Sequence, residues 1–176
     1  MVRAILAGTK SQTRRIVKPQ PTGSVLLRCP YMRTGRLWVR ETWQSMTDPK
    51  IVQNIEDVQY RADEDDPGVT WRPSIFMPRW ASRLTLEITG VRLEQLQEIS
   101  ATDALAEGLR YGTQLLAGAG GARFGGWNAP NEPDTMYADS GDAYGSLWNS
   151  INGRGAWDLN PWVWVIEFRK VEGGAA

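Results

Sequence analysis

Short segments in which apolar and polar residues alternate recur along this chain, with turn residues between them. The clearest spans residues 83–93, where Leu84, Leu86 and Ile88 alternate with polar side chains. A period of two is typical of a β-strand that buries one face. The remaining predicted strands cover residues 14–18, 24–29, 36–43, 57–62 and 162–168. The chain is therefore expected to fold around short strands joined by turns.

Three helices are expected between the strands. Residues 2–7 form a short apolar segment that ends at a glycine, which indicates a first helix. Ser100 and Asp103 have the spacing of a capping box, so a second helix should begin there and end at Gly108. Residues 142–151 carry apolar side chains at helical spacing and predict the third helix.

Residues 112–141 are rich in Gly, Ala, Asn, Pro and Asp, and are expected to be a long glycine-rich loop inserted into the domain. The predicted order is then helix, several strands, helix, loop, helix and a final strand. Interleaved short strands of this kind favour an α+β fold, a small, mostly antiparallel β-barrel with flanking helices. A chain of 176 residues can bury a core of its own, so a single domain over residues 1–176 is expected.

The charges are unevenly distributed, and the side chains for several common chemistries are missing. Nine of the 20 Lys and Arg residues lie within residues 1–40, which contain no acid, although the net charge is zero. The absence of histidine and the single cysteine exclude Ser-His-Asp and Cys-His catalysis, the usual zinc sites and an internal disulfide. Hydrolysis by this chain would need lysine, hydroxyl and carboxylate groups, or a metal held by carboxylates.

The sequence predicts a cytoplasmic protein without a membrane partner. The apolar segment at its N-terminus is too short for the hydrophobic region of a secretory signal. No apolar run approaches the roughly 20 residues of a membrane span. The nine tryptophans exceed what an ordinary core needs, so several are expected to line a pocket for a flat ligand.

An amine, a hydroxyl and a guanidinium lie close together in residues 8–15, at Lys10, Thr13 and Arg15. With Gly8 they give the spacing Gly-x-Lys-x-x-Thr-x-Arg, which resembles the signature of the ASCH domains, small barrels related to the PUA-type RNA-binding fold. Three further segments resemble blocks of that family in the same order: residues 35–41, 99–108 and 162–168. The pattern as a whole looks like that of phage- or prophage-borne ASCH proteins.

One branch of the ASCH family consists of amidohydrolases that remove the acyl group from N(4)-acetylcytidine. The resemblance implies the same activity here, on a small acylated nucleoside, with Lys10, Thr13 and Glu107 as the catalytic set and without metal or cofactor. The candidates for substrate binding are Arg14, Arg15, Trp38 and Glu41. Of these, Glu41 is also a second candidate carboxylate for catalysis, if its strand face points into the barrel.

Amide hydrolysis needs an activated nucleophile, an acid for the leaving nitrogen and a donor for the oxyanion. Thr13 is the candidate nucleophile, and Lys10 is the nearest base if burial or neighbouring cations lower the pKa of its amine. Glu107 would orient Lys10 or deliver a proton to the exocyclic nitrogen of cytosine. Direct attack by water, with Glu107 as base and Thr13 as donor, is the alternative route.

Two other functions stay open from the sequence. The acid-free first forty residues and the aromatic side chains also fit an RNA-binding module or a ribonuclease of the ASCH/PUA type. A phage accessory protein with a vestigial pocket is the third. The three catalytic candidates have ordinary interpretations as well: Lys10 as a solvated lysine in a turn, Thr13 as a strand residue and Glu107 as a helix carboxylate.

Overall fold

The computed structural model describes residues 1–21, 29–33, 35–48, 50, 53–64, 66–115 and 123–171. In chain order the helices and strands are α1 (Val2–Leu6), β1 (Gln12–Ile16), β2 (Arg36–Trp38), β3 (Trp43–Ser45), β4 (Val58–Tyr60), β5 (Thr85–Gln95), α2 (Ala101–Ala106), β6 (Arg110–Leu115), β7 (Arg123–Ala129), β8 (Glu132–Tyr137), α3 (Ser140–Asn152) and β9 (Trp162–Lys170). The predicted strand at 24–29 lies almost entirely outside the described residues. Within the described ranges, no helix has the length and apolar character needed to cross a membrane.

Four strands form the main sheet, in the order β1-β9-β5-β2, and every neighbouring pair is antiparallel. The sheet curls into a half-barrel. Its two central strands, β5 and β9, correspond to the predicted strands at 83–93 and 162–168, and β9 is rich in the β-branched and aromatic residues that favour strands. The predicted α+β class and the mostly antiparallel pairing are confirmed.

The two faces of β9 pack against different parts of the chain. Val163 and Val165 are buried in a core with Trp148, together with other side chains of α2 and α3. Phe168 points to the opposite face, where it packs with Ile5 of α1. Because successive side chains of a strand alternate between faces, β9 separates two apolar layers.

The strands β6, β7 and β8 form a second antiparallel sheet where the sequence analysis expected an irregular loop at 112–141. That prediction is wrong for the described part of the segment, because Gly112, Gly125 and Gly126 lie inside strands. A Cβ atom on Gly125 would overlap the side chain of Tyr111, which lies across it from the neighbouring strand. The Tyr111 ring also meets the Trp127 ring edge to face, with 5.2 Å between centroids. Glycine here permits close approach of an aromatic ring.

The predicted strand at 36–43 is two strands that belong to different sheets. β2 ends at Trp38 and pairs with β5, whereas β3 begins at Trp43 and pairs with β4. The chain leaves the main sheet because Trp43 is buried in a separate apolar cluster with Tyr60 and Met77. Residues 39–42 connect the two sheets.

Candidate active site

The candidate site lies along β1, an edge strand of the main sheet. Gln12 and Arg14 are buried on the face of β1 that contacts α2. Thr13 and Arg15 are more exposed and line a cavity. The alternation of a β-strand therefore separates a buried polar face from a face that is open to a ligand.

Lys10 precedes β1 and Glu107 follows α2, and their side chains meet in a buried ion pair. The Lys10 Nζ atom lies 2.6 Å from Oε2 of Glu107 and 2.7 Å from its backbone carbonyl oxygen. Each residue is only 4% exposed. The backbone N–H of Ser11 donates to the carbonyl of Ala106 at 2.9 Å, and Gly108 ends the helix with a φ of +98°. These backbone features bring together two residues that are distant in sequence.

The capping box predicted at Ser100 and Asp103 is confirmed, since each side chain accepts a hydrogen bond from the backbone N–H of the other. It determines where α2 begins, and so where Glu107 lies. Burial alone would raise the pKa of Asp103, but hydrogen bonds from Gln12, Ser100 and Arg92 hold that pKa well below its usual range. Asp103 thus remains an anion that joins α2 to β1 and β5.

Arg14 is buried among carboxylates from three places in the chain. Its Nη1 atom lies 3.2 Å from Glu107, and its Nη2 atom lies 2.5 Å from Glu94 and 3.3 Å from Asp103. The sequence analysis expected Arg14 to bind substrate. Arg14 lines a cavity together with Thr13 and Glu107, so its role in substrate binding stays a prediction. Both terminal nitrogens of the buried guanidinium contact protein carboxylates, and Arg14 thereby holds the Glu107 carboxylate in place.

The pKa of the Lys10 amine is lowered from its usual value. Burial is the largest cause; the Glu107 carboxylate opposes it, and the positive charges of Arg15 and Arg14 add to the lowering. A lower pKa increases the share of neutral amine, which is the form that accepts a proton. This is the direction that a lysine base requires.

Tyr144 of α3 belongs to the same buried group, although the sequence analysis did not single it out. Its ring lies under the Arg14 guanidinium, with 5.6 Å from Cζ to the ring centroid. Burial raises the pKa of the Tyr144 phenol, and the Glu107 carboxylate raises it further, so the phenol stays protonated. The only signal in the sequence was its place on the apolar face of the predicted helix at 142–151, one turn before Trp148.

Two cavities adjoin this group, and Thr13 lines both. The first cavity, of about 440 Å³, is also lined by Lys10, and the second, of about 350 Å³, by Glu107. Arg15 and Tyr31 line both as well. Thr13 therefore lies at the boundary of two spaces, with the buried amine reaching one and its carboxylate partner reaching the other.

The two remaining candidates for substrate binding are separated by the structure. Trp38 lines the first cavity, and the Arg40 guanidinium stacks over its ring at 4.7 Å. Glu41 lines neither cavity; it is 2% exposed, and its carboxylate accepts from Arg83 at 2.9 and 3.0 Å. The expected position of Glu41 facing the site is therefore wrong, because the chain turns away from the main sheet after Trp38.

Within the described part of the chain, no three His, Cys, Asp or Glu side chains are grouped so that they could hold a metal ion. No family model, no curated protein sequence and no solved structure matches this chain. The ASCH resemblance and the roles that it implies for Lys10, Thr13 and Glu107 therefore stay predictions.

Proposed function

We propose that this protein is an amidohydrolase that deacylates N(4)-acylated cytosine nucleosides, releasing cytidine and a carboxylate. One observation carries the proposal: a buried lysine, paired with a buried carboxylate, lines the same cavity as a threonine. The residues are Lys10, Glu107 and Thr13, the three that the resemblance to ASCH amidohydrolases selects. Cavity volumes of about 440 and 350 Å³ suit a nucleoside.

In the proposed reaction, the neutral amine of Lys10 takes the proton of the Thr13 hydroxyl as Thr13 Oγ attacks the acyl carbonyl carbon. The C–N bond then breaks, and Lys10 returns that proton to the exocyclic nitrogen, which leaves as the amino group of cytosine. Water hydrolyses the Thr13 ester and restores the hydroxyl. Glu107, held by Arg14, keeps the Lys10 amine oriented between these steps.

Direct attack by water is the second route to the same products. In that case Glu107 accepts the proton of the water, and Thr13 donates a hydrogen bond to the developing oxyanion. The routes differ in whether an acyl group is ever bound to the protein. Intact-mass measurement of enzyme quenched during turnover distinguishes them, because only the first route adds an acyl group to Thr13.

The test of the proposal is an ultraviolet assay that follows conversion of N(4)-acetylcytidine to cytidine, with and without a chelator. We expect turnover by the unaltered protein and its loss in Lys10→Met, Thr13→Val and Glu107→Gln. The matched controls, Thr9→Val and Lys170→Met, alter exposed residues that line neither cavity and should keep full activity. No turnover across short and long acyl groups would refute the proposal, and full activity in Thr13→Val would remove the nucleophile assignment.

The RNA-binding alternative draws less support from the site. Two of the nine cations in residues 1–40, Lys10 and Arg14, are buried against carboxylates and are not available to phosphates. Binding of single-stranded RNA with affinity that falls steeply with salt, in a protein that hydrolyses no acylated nucleoside, would favour this alternative instead.

A further inference from the structure

The first cavity combines an apolar wall with charges of a single sign. Its charged side chains are Lys10, Arg15 and Arg40, and no carboxylate lines it among the described residues. The apolar wall comes from α1, from the central strands β5 and β9, and from β2 with the residue after it: Val2, Ile5, Leu37, Val39, Leu86, Ile166 and Phe168. A neutral nucleoside needs no such excess of positive charge.

Two of these three cations have no acidic partner. Lys10 is paired with Glu107. In the described residues, neither Arg15 nor Arg40 lies within ion-pair distance of a carboxylate. Other arginines of the chain are paired: Arg14, Arg83, Arg92 and Arg169 each contact at least one Asp or Glu. Arg36, Arg79 and Arg110 also lack an ion pair among the described residues, but they line neither cavity. Arg15 and Arg40 differ from them because they border the first cavity, where a ligand can reach them.

The position of Arg40 is fixed by contacts that leave most of its donors free. Its Cζ lies 4.7 Å from the centroid of the Trp38 ring, and Nη1 donates to the carbonyl of Ile75 at 3.1 Å. A guanidinium has five N–H donors in a planar fork that matches phosphate oxygens. Arg15 projects from β1 on the same face as Thr13, two residues away. Both guanidinium groups therefore border the space that the substrate of Thr13 would occupy.

We infer that the substrate is anionic: an N(4)-acylated cytosine nucleotide whose phosphate is bound by Arg15 and Arg40. This inference rests on the proposed deacylation and specifies the class of substrate for the same site. Trp38 and the apolar wall take the uncharged base and acyl group, while the two guanidinium groups neutralise the phosphate. The unphosphorylated nucleoside then binds more weakly, because it leaves both cations without a partner.

The first experiment measures binding without any chemistry. Isothermal titration calorimetry compares cytidine 5′-monophosphate with cytidine at an ionic strength of about 0.01 M, where the Debye length is about 30 Å. We expect the nucleotide to bind at least about tenfold more tightly. Arg15→Gln and Arg40→Gln should each remove most of that difference, and Arg40→Lys, which keeps the charge but loses the planar fork, should retain part of it.

Arg79→Gln is the matched control, since Arg79 is exposed and lines neither cavity. It should leave the preference for the nucleotide intact. Equal affinities for nucleotide and nucleoside, or no binding of either, would overturn the inference. An equal loss in Arg79→Gln and Arg40→Gln would also overturn it, because the effect would then come from net charge alone.

The second experiment separates this inference from the proposed function. The kcat/KM values for N(4)-acetylcytidine and for its 5′-monophosphate are compared in the unaltered protein and in Arg40→Gln. A preference for the nucleotide that Arg40→Gln abolishes through KM, with kcat kept, supports both ideas. Equal kcat/KM values leave the amidohydrolase standing and overturn the phosphate site. Nucleotide binding that depends on Arg15 and Arg40, without turnover of either compound, refutes the deacylation and supports the phosphate site.

Discussion

Replacing Glu107 with glutamine should leave the Lys10 ammonium buried without its carboxylate. Removing one partner of a buried ion pair typically costs about 3–5 kcal/mol, because the remaining charge is desolvated and unpaired. Arg14 would keep Glu94 and Asp103, and Lys10 would keep the backbone carbonyl of residue 107. We therefore expect a loss of about 3 kcal/mol, at the low end of that range. For a domain of this size the melting temperature should fall by about 6–12 °C.

The loss should depend on pH in a defined direction. Burial already lowers the pKa of Lys10 and Glu107 opposes that shift, so in the variant the folded-state pKa falls further below the unfolded value of about 10.4. Between these two values the unfolded chain binds more protons than the folded one, so the stability of the variant rises with pH. The difference in the free energy of unfolding between the variant and the unaltered protein should therefore be smaller at pH 10 than at pH 7. Urea unfolding at both pH values measures it.

A second substitution identifies the source of the loss. The double variant Lys10→Met, Glu107→Gln has no unpaired amine, so it should be more stable at pH 7 than Glu107→Gln alone and should lack its dependence on pH. The reasoning is refuted if Glu107→Gln unfolds within about 1 kcal/mol of the unaltered protein at pH 7, or if the double variant recovers no stability.

Three further predictions concern the scaffold. Leu96→Ala, in the core, should lower the free energy of unfolding by about 2–5 kcal/mol in urea titrations, whereas Leu159→Ala, on the surface, should change it by less than about 0.5 kcal/mol. Ser100→Ala should cost about 1 kcal/mol by removing the cap of α2, and Ser100→Asp, which keeps the capping oxygen, should restore most of it. Gly125→Ala should lower the melting temperature because its Cβ would overlap the hydroxyl end of the Tyr111 side chain, and a smaller loss in the Tyr111→Ala background would identify that contact as the cause.

Sequence patterns correctly predict the helices and strands that are determined by interactions between residues close in sequence. The capping box at Ser100 and Asp103 is complete within four residues, and the helix that it begins lies where the sequence indicates. The alternation of Leu84, Leu86 and Ile88 likewise predicts the first part of β5, although the alternation does not continue past the register shift between Ile88 and Gly90. For the candidate site, these local patterns therefore predict where its residues lie along the backbone, but not which side chains they contact.

The features that sequence reasoning missed depend on contacts between distant residues. Arg14 is buried because three carboxylates from β5, α2 and the residue after α2 converge on it, and nothing in its own neighbourhood indicates them. Glu41 is paired with Arg83, which lies 42 residues away. The many glycines in residues 112–126 are typical of a loop, yet Gly125 lies inside a strand, where the absence of a side chain leaves room for Tyr111. Cross-strand partners of this kind become visible only once the register is known.

The register of β1 gives the spacing of its residues a geometric meaning. Thr13 and Arg15 are paired across the strand with Ile166 and Trp164 and border the cavity, while Arg14 between them faces the carboxylates. If one residue were inserted between Lys10 and Thr13 while Lys10 kept its position, every later residue of β1 would move one position along β9, and its side chain would change face. A guanidinium would then meet the ligand, and the hydroxyl would be buried among acids. The number of residues between the lysine and the threonine is thus as much a requirement of the site as their identity.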